Sequence, residues 1–445
     1  MEKPSFIERA NNWVRNSVTL RLVTMGILIL LLLIPVNMVE SLIREREYRK
    51  QDAVKEVSGK WGNEQIVAGP VLTVPYLEYN KQYNNDTKEY ILVPTRRYAH
   101  FLPEALNIDG EILPEIRYRG IYKVVVYKAA LKLMGNFNRP NFAEWKISDS
   151  DVLWGESFVS LGLTDLRGIQ QNVDLGWNNQ TYSFNPGVET NEVITTGISA
   201  MLPIDTSKGS NTYSLSLNFN GSSLLEFLPL GKTTTVKITS PWSTPSFDGA
   251  FLPDERDVTE KGFTAMWDVL HLNRPYPQSF RGGTTGLDGS AFGVKLILPV
   301  DEYQKSMRSA KYAVMFIVLT FIIIFFVQIM YKVRVHPIQY IIVGLALCVF
   351  YTLLIGLSEY IPFAYSYLIS SVAIITLITL YSQTIFHVKR ITALIGLLLT
   401  VLYLFIFTIV QMEDFALLMG SIGLFIVLAT IMYLSRKINW YDIEK

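Results

Sequence analysis

Residues 312–331 read YAVMFIVLTFIIIFFVQIMY, a stretch without a charged side chain. Further uncharged runs follow closely, at residues 338–358, 362–386, 391–412 and 415–435. Each approaches or exceeds the roughly 20 apolar residues that a helix needs to cross a bilayer. The C-terminal third therefore predicts five transmembrane helices joined by short loops.

Another uncharged run lies near the N-terminus, at residues 22–39, preceded by Lys3, Arg9, Arg15 and Arg21. A cleaved signal peptide is the alternative interpretation. The residues that follow the apolar stretch, PVNMVE at 35–40, lack the small-x-small pattern of a cleavage site. We therefore expect an uncleaved transmembrane anchor.

Composition supports a membrane protein, because 50% of the 445 residues are hydrophobic. The 40 basic and 39 acidic residues nearly cancel, so no strong overall charge would attract nucleic acid, and no nucleic-acid-binding motif is present. The only cysteine, Cys348, lies in an apolar run. An outer domain must therefore fold without disulfides.

The charges of the short C-terminal loops predict the orientation. Basic residues occupy one loop (Lys332, Arg334, His336), the next loop but one (Lys389, Arg390) and the tail (Arg436, Lys437), whereas the alternate loops carry Glu359, Glu413 and Asp414. By the positive-inside rule the basic segments face the cytoplasm. We therefore expect residues 1–21 and 436–445 to be cytoplasmic and residues 40–311 to lie outside the cytoplasm.

The outer residues predict a helical stalk and a β-rich domain. Residues 40–60 have Glu-first pairs four residues apart, as in Glu45 and Arg49, which suit an exposed helix. We expect the stalk's charges to be solvated, with a docking role as the alternative. Residues 61–311 contain β-type runs at 70–76, 90–93, 121–133, 212–219, 234–239 and 292–298. The pattern favours an antiparallel sandwich-like fold and leaves open whether there are one or two sandwiches.

No motif for chemistry emerges. The four histidines are dispersed and form no HExxH-type pair, and no nucleophile elbow or phosphate loop is present. We therefore expect no catalytic, cofactor or metal site.

Two polar positions at helix ends are candidate functional sites. His336, Gln339 and Tyr340 have one-turn spacing at a helix start, where they could contact the preceding loop or a cytoplasmic partner. Glu359 follows a span at its outer end, where an interfacial position or a cap for the helix after Pro362 is expected.

Long strings of residues resemble the CreD family, inner-membrane proteins of Gram-negative bacteria associated with cell envelope integrity. The resemblance extends over nearly the whole chain and rests on residues 61–62, 69–76, 117–122, 126–127, 245–247, 249–253, 262–263, 267, 299–301, 303, 308, 311–312, 319–321, 336–340, 343–347, 350–351 and 357–359. It implies a location and a process, linked to colicin tolerance and a two-component regulon. It implies no reaction and assigns no role to a residue.

Three functional hypotheses follow. The first is a non-enzymatic protein of envelope integrity and envelope stress response that binds or modulates envelope proteins through its periplasmic domain. The alternative is handling or transport of a lipid or another apolar envelope molecule, suggested by 24 Tyr and 24 Phe. An envelope enzyme is the least favoured. The expected partners are the lipid bilayer and envelope proteins or lipids, with the oligomeric state left open.

Overall fold

The computed structural model describes residues 18–84, 88–283, 286–298, 302–331, 333, 335–412 and 415–436. These residues fall into two compact units: a helical unit within Met1–Lys50 and Val300–Lys445, and a β unit within Gln51–Pro299. Several predicted features lie outside the described residues: Lys3, Arg9, Arg15, Lys332, Arg334, Glu413, Asp414 and the tail from Lys437 to residue 445.

Helices occur wherever the sequence predicts a span. The described α-helices are α1 (Val18–Trp61), α2 (Glu302–Lys311), α3 (Ala313–Met330), α4 (Pro337–Ser358), α5 (Phe363–Phe386), α6 (Lys389–Gln411) and α7 (Ala416–Ser435). Among them α1, α3, α4, α5 and α6 are long and apolar enough to cross a membrane. The apolar part of α7, Leu418–Tyr433, is shorter. A multi-pass membrane protein is confirmed in this sense, while the membrane crossing of α7 stays a prediction.

An aromatic cluster lies in the core that α3, α4, α5 and α6 share. The ring of Phe316 lies 4.6 Å from that of Tyr403, and Phe350 lies 4.9 Å from Tyr403 and 5.3 Å from Tyr367. The Tyr367 hydroxyl donates a 2.9 Å hydrogen bond to the Tyr403 carbonyl. Inside a bilayer the hydrophobic effect does not drive helices together. Close packing of aromatic rings such as these therefore stabilises the contact between the helices.

Helix α2 differs from the sequence analysis, which assigned residues up to 311 to the β-rich domain. Its buried residues Tyr303, Ser306, Ser309 and Ala310 recur at three-to-four-residue spacing, so one face packs in the helical unit. Small serines provide little hydropathy signal, which is why this short amphipathic helix is not evident from the apolar runs. Its Lys305 Nζ lies 3.4 Å from Gln411 Oε1 at the end of α6.

The described residues of the β unit form two sheets. The strands are β1 (Gln65–Asn84), β2 (Glu89–Phe101), β3 (Ala105–Arg119), β4 (Tyr122–Asn138), β5 (Phe158–Leu163), β6 (Asp174–Trp177), β7 (Gln180–Ser183), β8 (Asn185–Pro186), β9 (Gly197–Met201), β10 (Ser210–Ser222), β11 (Leu224–Phe227), β12 (Thr233–Ser240), β13 (Pro245–Gly249), β14 (Glu255–Thr259), β15 (Gly262–Leu270), β16 (Ser279–Arg281) and β17 (Phe292–Leu296). Each β run predicted from the sequence overlaps a strand.

Pairing within the sheets is mainly antiparallel. One sheet has the order β13-β17-β11-β1-β5-β9-β8, with β2 beside β1 and β16 beside β2. The other has the order β14-β15-β12-β3-β4-β10-β6-β7. Among the described strands two pairs are parallel, β1 with β11 and β3 with β12. Since parallel neighbours need a crossover, each of these pairs joins distant parts of the chain.

Both sheets contribute to one hydrophobic core, so the β unit is a single large sandwich. Trp267 of β15 is fully buried, with ring centroids 5.7 Å from Phe292 of β17 and 5.8 Å from Phe247 of β13 in the facing sheet. Alternation in β10 is confirmed, because Tyr213, Leu215, Leu217 and Phe219 are buried between more exposed polar residues.

The last turns of α1 dock on the β3–β4 hairpin within the β unit. Trp61 Nε1 donates to the Tyr127 carbonyl at 3.2 Å, and the Arg117 guanidinium lies 3.8 Å from the Trp61 ring centre. Arg119 pairs with Glu56 at 2.8 Å, and hydrogen bonds from Lys60 and then Arg119 lower the pKa of Glu56. The charged face expected to be solvated is thus partly used for docking.

Candidate functional site

His336 and Gln339 cap the start of α4. The Gln339 side chain accepts the His336 backbone N–H at 2.8 Å, and His336 Nδ1 accepts the Ile338 N–H at 3.3 Å. Pro337 occupies the first turn, where its missing N–H costs nothing. This reciprocal capping satisfies donors that a helix start leaves open. It also leaves His336 Nε2 as the protonated nitrogen of the neutral ring.

Tyr340 links α4 to α3. Its hydroxyl donates a 3.0 Å hydrogen bond to Gln328 Oε1, and its ring packs edge-on against Phe321 at 5.1 Å. Both partners of the hydrogen bond are buried. This hydrogen bond fixes the register between α3 and α4. Most side chains of these helices are apolar, so few other groups could bond to either partner.

A cavity of about 420 Å³ adjoins these residues, between the starts of α1 and α4 and the end of α3. We call it the basal cavity. Its polar lining consists of Arg21, Thr24, Gln328, His336 and Tyr340. Apolar side chains, among them Leu28 and Phe325, form the remaining walls. The structure thus brings His336 and Tyr340 together with Arg21, whose participation the sequence analysis did not predict.

Glu359 lies at the opposite end of α4, so the four candidate residues do not form one site. It follows the last helical residue, and its side chain is only 8% exposed. The carboxylate lies 3.4 Å from Arg46 Nη1 of α1. The start of α5 is instead occupied by Pro362. Glu359 therefore pairs with a cation on another helix, whereas the sequence suggested a cap for the next helix.

The β unit contains a row of three hydrogen-bonded polar side chains that was not predicted from the sequence. His100 of β2 is fully buried; its Nδ1 lies 3.0 Å from Thr73 Oγ1, and its Nε2 lies 2.9 Å from Glu192 Oε2. Burial lowers the pKa of His100, an effect that the hydrogen bond from its ring to the Glu192 carboxylate opposes. Hydroxyl, imidazole and carboxylate in this order resemble a nucleophile triad, but Thr73 is buried too. A substrate could not reach its hydroxyl.

The β1–β2 hairpin extends beyond the core as a two-stranded arm. We define the arm as residues 77–84 and 88–96, in which residues 77–84 pair with residues 89–96 and with no other described strand. Tyr79 pairs with Pro94, Lys81 with Leu92, and Tyr83 with Tyr90. Directly paired residues share a face, so these six side chains lie together. Tyr90 is 72% and Leu92 61% exposed, which makes this an uncovered apolar face.

Within the described residues, no group of three or more His, Cys, Asp or Glu side chains is arranged to hold a metal ion.

Comparison with known proteins assigns the family. The family model described as inner membrane protein CreD matches residues 17–441. The inner membrane protein CreD of Escherichia coli (strain K12) is 32% identical over 418 residues, which cover 93% of this chain and 91% of that protein. The chain belongs to the CreD family. The CreD resemblance seen in the sequence is confirmed, and the chain is accordingly an inner-membrane protein with a role related to the envelope.

Solved structures show only a weak likeness to this CreD-family chain. An M1 zinc metallopeptidase from Deinococcus radiodurans has a TM-score of 0.19 at 13% identity, covering 38% of each chain. A mutant of that type has a TM-score of 0.21 at 13% identity, covering 41% of this chain and 42% of the other. The chain thus spans less than half of these peptidases, and such TM-scores carry no argument about its fold or chemistry.

Proposed function

We propose that the chain is a non-enzymatic protein that binds or modulates envelope proteins through its β unit, and so contributes to envelope integrity and the envelope stress response. The observation that supports this role is the apolar face of the arm. Tyrosine is enriched in protein interfaces because it buries a large area at a low entropy cost. If no partner covered this face, its three tyrosines would leave apolar surface exposed to water.

The arm has features of an incomplete structure. A two-stranded hairpin is marginally stable alone, and the described arm has no third strand or facing sheet. The Tyr83 and Tyr90 rings contact each other edge to face at 5.3 Å, which prearranges the face. A partner that covers it would bury aromatic surface and stiffen both strands.

We propose a periplasmic location for the β unit and a cytoplasmic location for both termini. Support comes from the basic loops, since Lys389 and Arg390 lie at the start of α6 while Glu359 follows the end of α4. An arm on the periplasmic side would reach envelope proteins rather than cytoplasmic ones.

Site-specific photo-cross-linking in living cells tests the proposal. Probes replace Tyr79, Tyr90 or Leu92 on the apolar face, and Asn80 or Gln82 on the opposite face as matched controls. Discrete protein adducts from the apolar face alone are expected and would name the partner. Adducts that carry lipid or glycan would favour lipid handling, the second candidate described below. Equal adducts from both faces would show that the apolar face of the arm is not a specific binding surface.

Lipid handling or transport is the second candidate, favoured by an apolar groove of about 540 Å³ between α3, α6 and α7. Side chains such as Leu319, Phe326, Leu398 and Ile426 line it. An acyl chain matches this chemistry. The test is mass spectrometry of lipids retained by the purified full-length chain and by a Leu398→Trp variant, which narrows the groove. A specific lipid lost from the variant supports handling, and an unchanged lipid profile counts against it.

A further inference from the structure

Four hydroxyl side chains lie at one level of the helical unit, and together we call them the hydroxyl belt. They are Thr320 of α3, Tyr351 of α4, Ser370 of α5 and Tyr403 of α6. Thr320 and Ser370 lie seven residues after the start of their helices. Tyr351 and Tyr403 lie seven and eight residues before the end of theirs, and each distance is about 10 to 12 Å along the axis. Short loops make consecutive helices antiparallel, so these helix ends lie on the same side of the unit and the belt occupies one cross-section.

Contacts between aromatic rings join the helices at the level of the hydroxyl belt. Tyr351 and Tyr403 each lie 4.9 Å from Phe350, measured between ring centres. Both also pack on Phe316, at 6.3 and 4.6 Å. Phe316 lies four residues before the belt residue of α3. Tyr367, three residues before the belt residue of α5, lies 5.3 Å from Phe350. All four helices therefore contribute to one packed layer.

The hydroxyl groups of the belt are buried without a protein partner. Each of the four residues is at most 2% exposed. No group within the described residues forms a hydrogen bond with any of the four hydroxyl oxygens. A buried hydroxyl that forms no hydrogen bond is costly, and the hydrocarbon of a bilayer offers no replacement for it. Such groups are usually satisfied by bound water or another ligand.

Other serines and threonines of the same helices show that helix geometry does not force this arrangement. Exposed Thr400 and Thr408 of α6 each donate to a carbonyl of the preceding turn, at 2.8 and 3.0 Å. Ser371 of α5 is buried and makes the same bond at 2.6 Å. Thr320 and Ser370 could reach such a carbonyl by rotation about one bond, yet their hydroxyls do not bond to it. These hydroxyls are therefore available to a ligand inside the unit.

The composition of these helices indicates that the ligand is neutral. Residues 313–330, 338–358, 363–386 and 391–411 contain no Asp, Glu, Lys or Arg. An ion bound between them would lack a counter-charge in a region of low dielectric constant, which is unfavourable. Hydroxyls both donate and accept hydrogen bonds, as water does, and the closely packed rings leave space only for small molecules.

We propose that the hydroxyl belt binds a cluster of water molecules that bridges α3, α4, α5 and α6. A buried water molecule needs about two to four polar partners, and the four hydroxyls supply both donors and acceptors. Such bridges stabilise the contacts between helices that no hydrophobic effect holds together. This hydration site lies in the interior of the helical unit and is independent of the proposed binding face of the arm.

X-ray radiolytic footprinting of the full-length chain in lipid nanodiscs tests for bound water, because radicals formed from that water label the nearest side chains. Mass spectrometry quantifies the labelled peptides. Tyr351 and Tyr403 should be labelled several-fold faster than Tyr127 of β4, a similarly buried tyrosine whose hydroxyl donates to a carbonyl at 2.7 Å. Labelling of Tyr351 and Tyr403 as slow as that of Tyr127 would overturn the proposal.

Removal of hydroxyl groups tests whether the water is shared between helices. Tyr403→Phe and Thr320→Val each delete one hydroxyl with little change in side-chain shape, and unfolding in sodium dodecyl sulfate measures the result. Each change should lower the unfolding midpoint. The double variant should lose less than the sum, because the first change already breaks the bridge. A midpoint that stays or rises after either change would indicate a dry cluster, and additive losses would indicate separate sites; either result contradicts a shared water cluster.

Thr408→Val is the matched control, because it removes an exposed hydroxyl that bonds to its own helix. Its midpoint should equal that of the wild type. A loss as large as that of Thr320→Val would assign the effect to general destabilisation of a helix and would also contradict the proposal. If Tyr403→Phe fails to fold, Tyr351→Phe replaces it in the same double variant.

Discussion

His100 shows how one buried side chain depends on groups far away in the chain. Its two ring nitrogens contact Thr73 and Glu192, and Phe280 packs beside the ring at 5.4 Å. A neutral imidazole satisfies both contacts by accepting from the threonine hydroxyl and donating to the carboxylate. The carboxylate lies in the loop between β8 and β9, so the hydrogen bond fixes that loop to β2.

We predict that His100 makes the β unit less stable in mild acid. Burial lowers its pKa below the ordinary value of 6.5, so the unfolded chain takes up a proton at higher pH than the folded chain. The stability from the neutral ring is present above 6.5 and is lost as the pH falls through the lower folded value. The thermal midpoint of the full-length chain should fall between pH 7 and pH 5, and less steeply in His100→Gln. A half-exposed histidine of the same unit, changed in His271→Gln, is the control; identical slopes in wild type and His100→Gln would contradict the prediction.

The pair of Arg46 and Glu359 predicts a second effect at this scale. Arg46→Gln leaves a carboxylate that is 8% exposed without its cation, which should cost roughly 2 kcal/mol; a fully buried pair would cost more, but Arg46 is 35% exposed. The double variant with Glu359→Gln should regain most of the loss. Unfolding in sodium dodecyl sulfate measures both. Arg44→Gln removes the exposed pair with Glu40 and should cost at most about 1 kcal/mol. An equal cost for both arginines would rule out a special role for Glu359.

At the level of secondary-structure elements, the junction between α1 and β1 also depends on a distant part of the chain. Gly62 has a φ of 149°, and its N–H bonds to the Ser58 carbonyl at 2.8 Å. A Cβ at this position would lie 2.5 Å from the Asn220 carbonyl oxygen, which is too close. The chain can turn from helix to strand here only because residue 62 has no side chain.

We therefore predict that Gly62→Ala destabilises the β unit by about 2 kcal/mol, because the strained backbone and the clash with β10 act together. Gly59→Ala is the matched control, since its Cβ meets nothing within 4 Å and alanine favours the helix by up to about 1 kcal/mol. Urea unfolding followed by tryptophan fluorescence measures both variants. A Gly62→Ala midpoint equal to that of the wild type would show that the turn relaxes freely.

Local sequence patterns predicted which residues form helices and strands better than they predicted which of these elements contact each other. His336, Pro337 and Gln339 carry a capping pattern within four residues, so their grouping at a helix start was readable from the sequence. Glu192 is 92 residues from His100, and no spacing rule joins them. Arg21 and Tyr340 meet at the basal cavity only because α1 packs beside α4. Uncharged runs likewise predicted the apolar helices, whereas the serine-rich face of α2 gave no such signal.

On the scale of the whole molecule, the proposed orientation makes a direct prediction. The single native cysteine, Cys348, is buried, so a Cys348→Ala chain accepts one reporter cysteine without background. Thr181→Cys in the β unit should react with a membrane-impermeant maleimide in cells with a permeabilised outer membrane, whereas Lys389→Cys should react only after lysis. The reverse pattern would invert the topology and place the arm in the cytoplasm.

The way in which the two sheets assemble could not be predicted from the sequence. Alternation in β10 predicted a buried and an exposed face, but the partners of β1 and β3 are set by the packing of both sheets on one core. Trp267 and Phe292 meet across that core from strands of opposite sheets. Strand spacing alone is compatible with one sandwich or two, so this outcome required the three-dimensional structure.

The two parallel pairs have a consequence for synthesis. Residue 65 of β1 pairs with residue 225, and residue 105 of β3 pairs with residue 233. A ribosome delivers the early strands long before these partners exist, and distant contacts of this kind form slowly. The edge of β1 stays open until β11 has emerged, and the edge of β3 stays open until β12 has emerged; open edges can associate with other nascent chains. Completion of the sandwich is thus a late event in biogenesis, and chaperones and proteases can act on the chain throughout that interval.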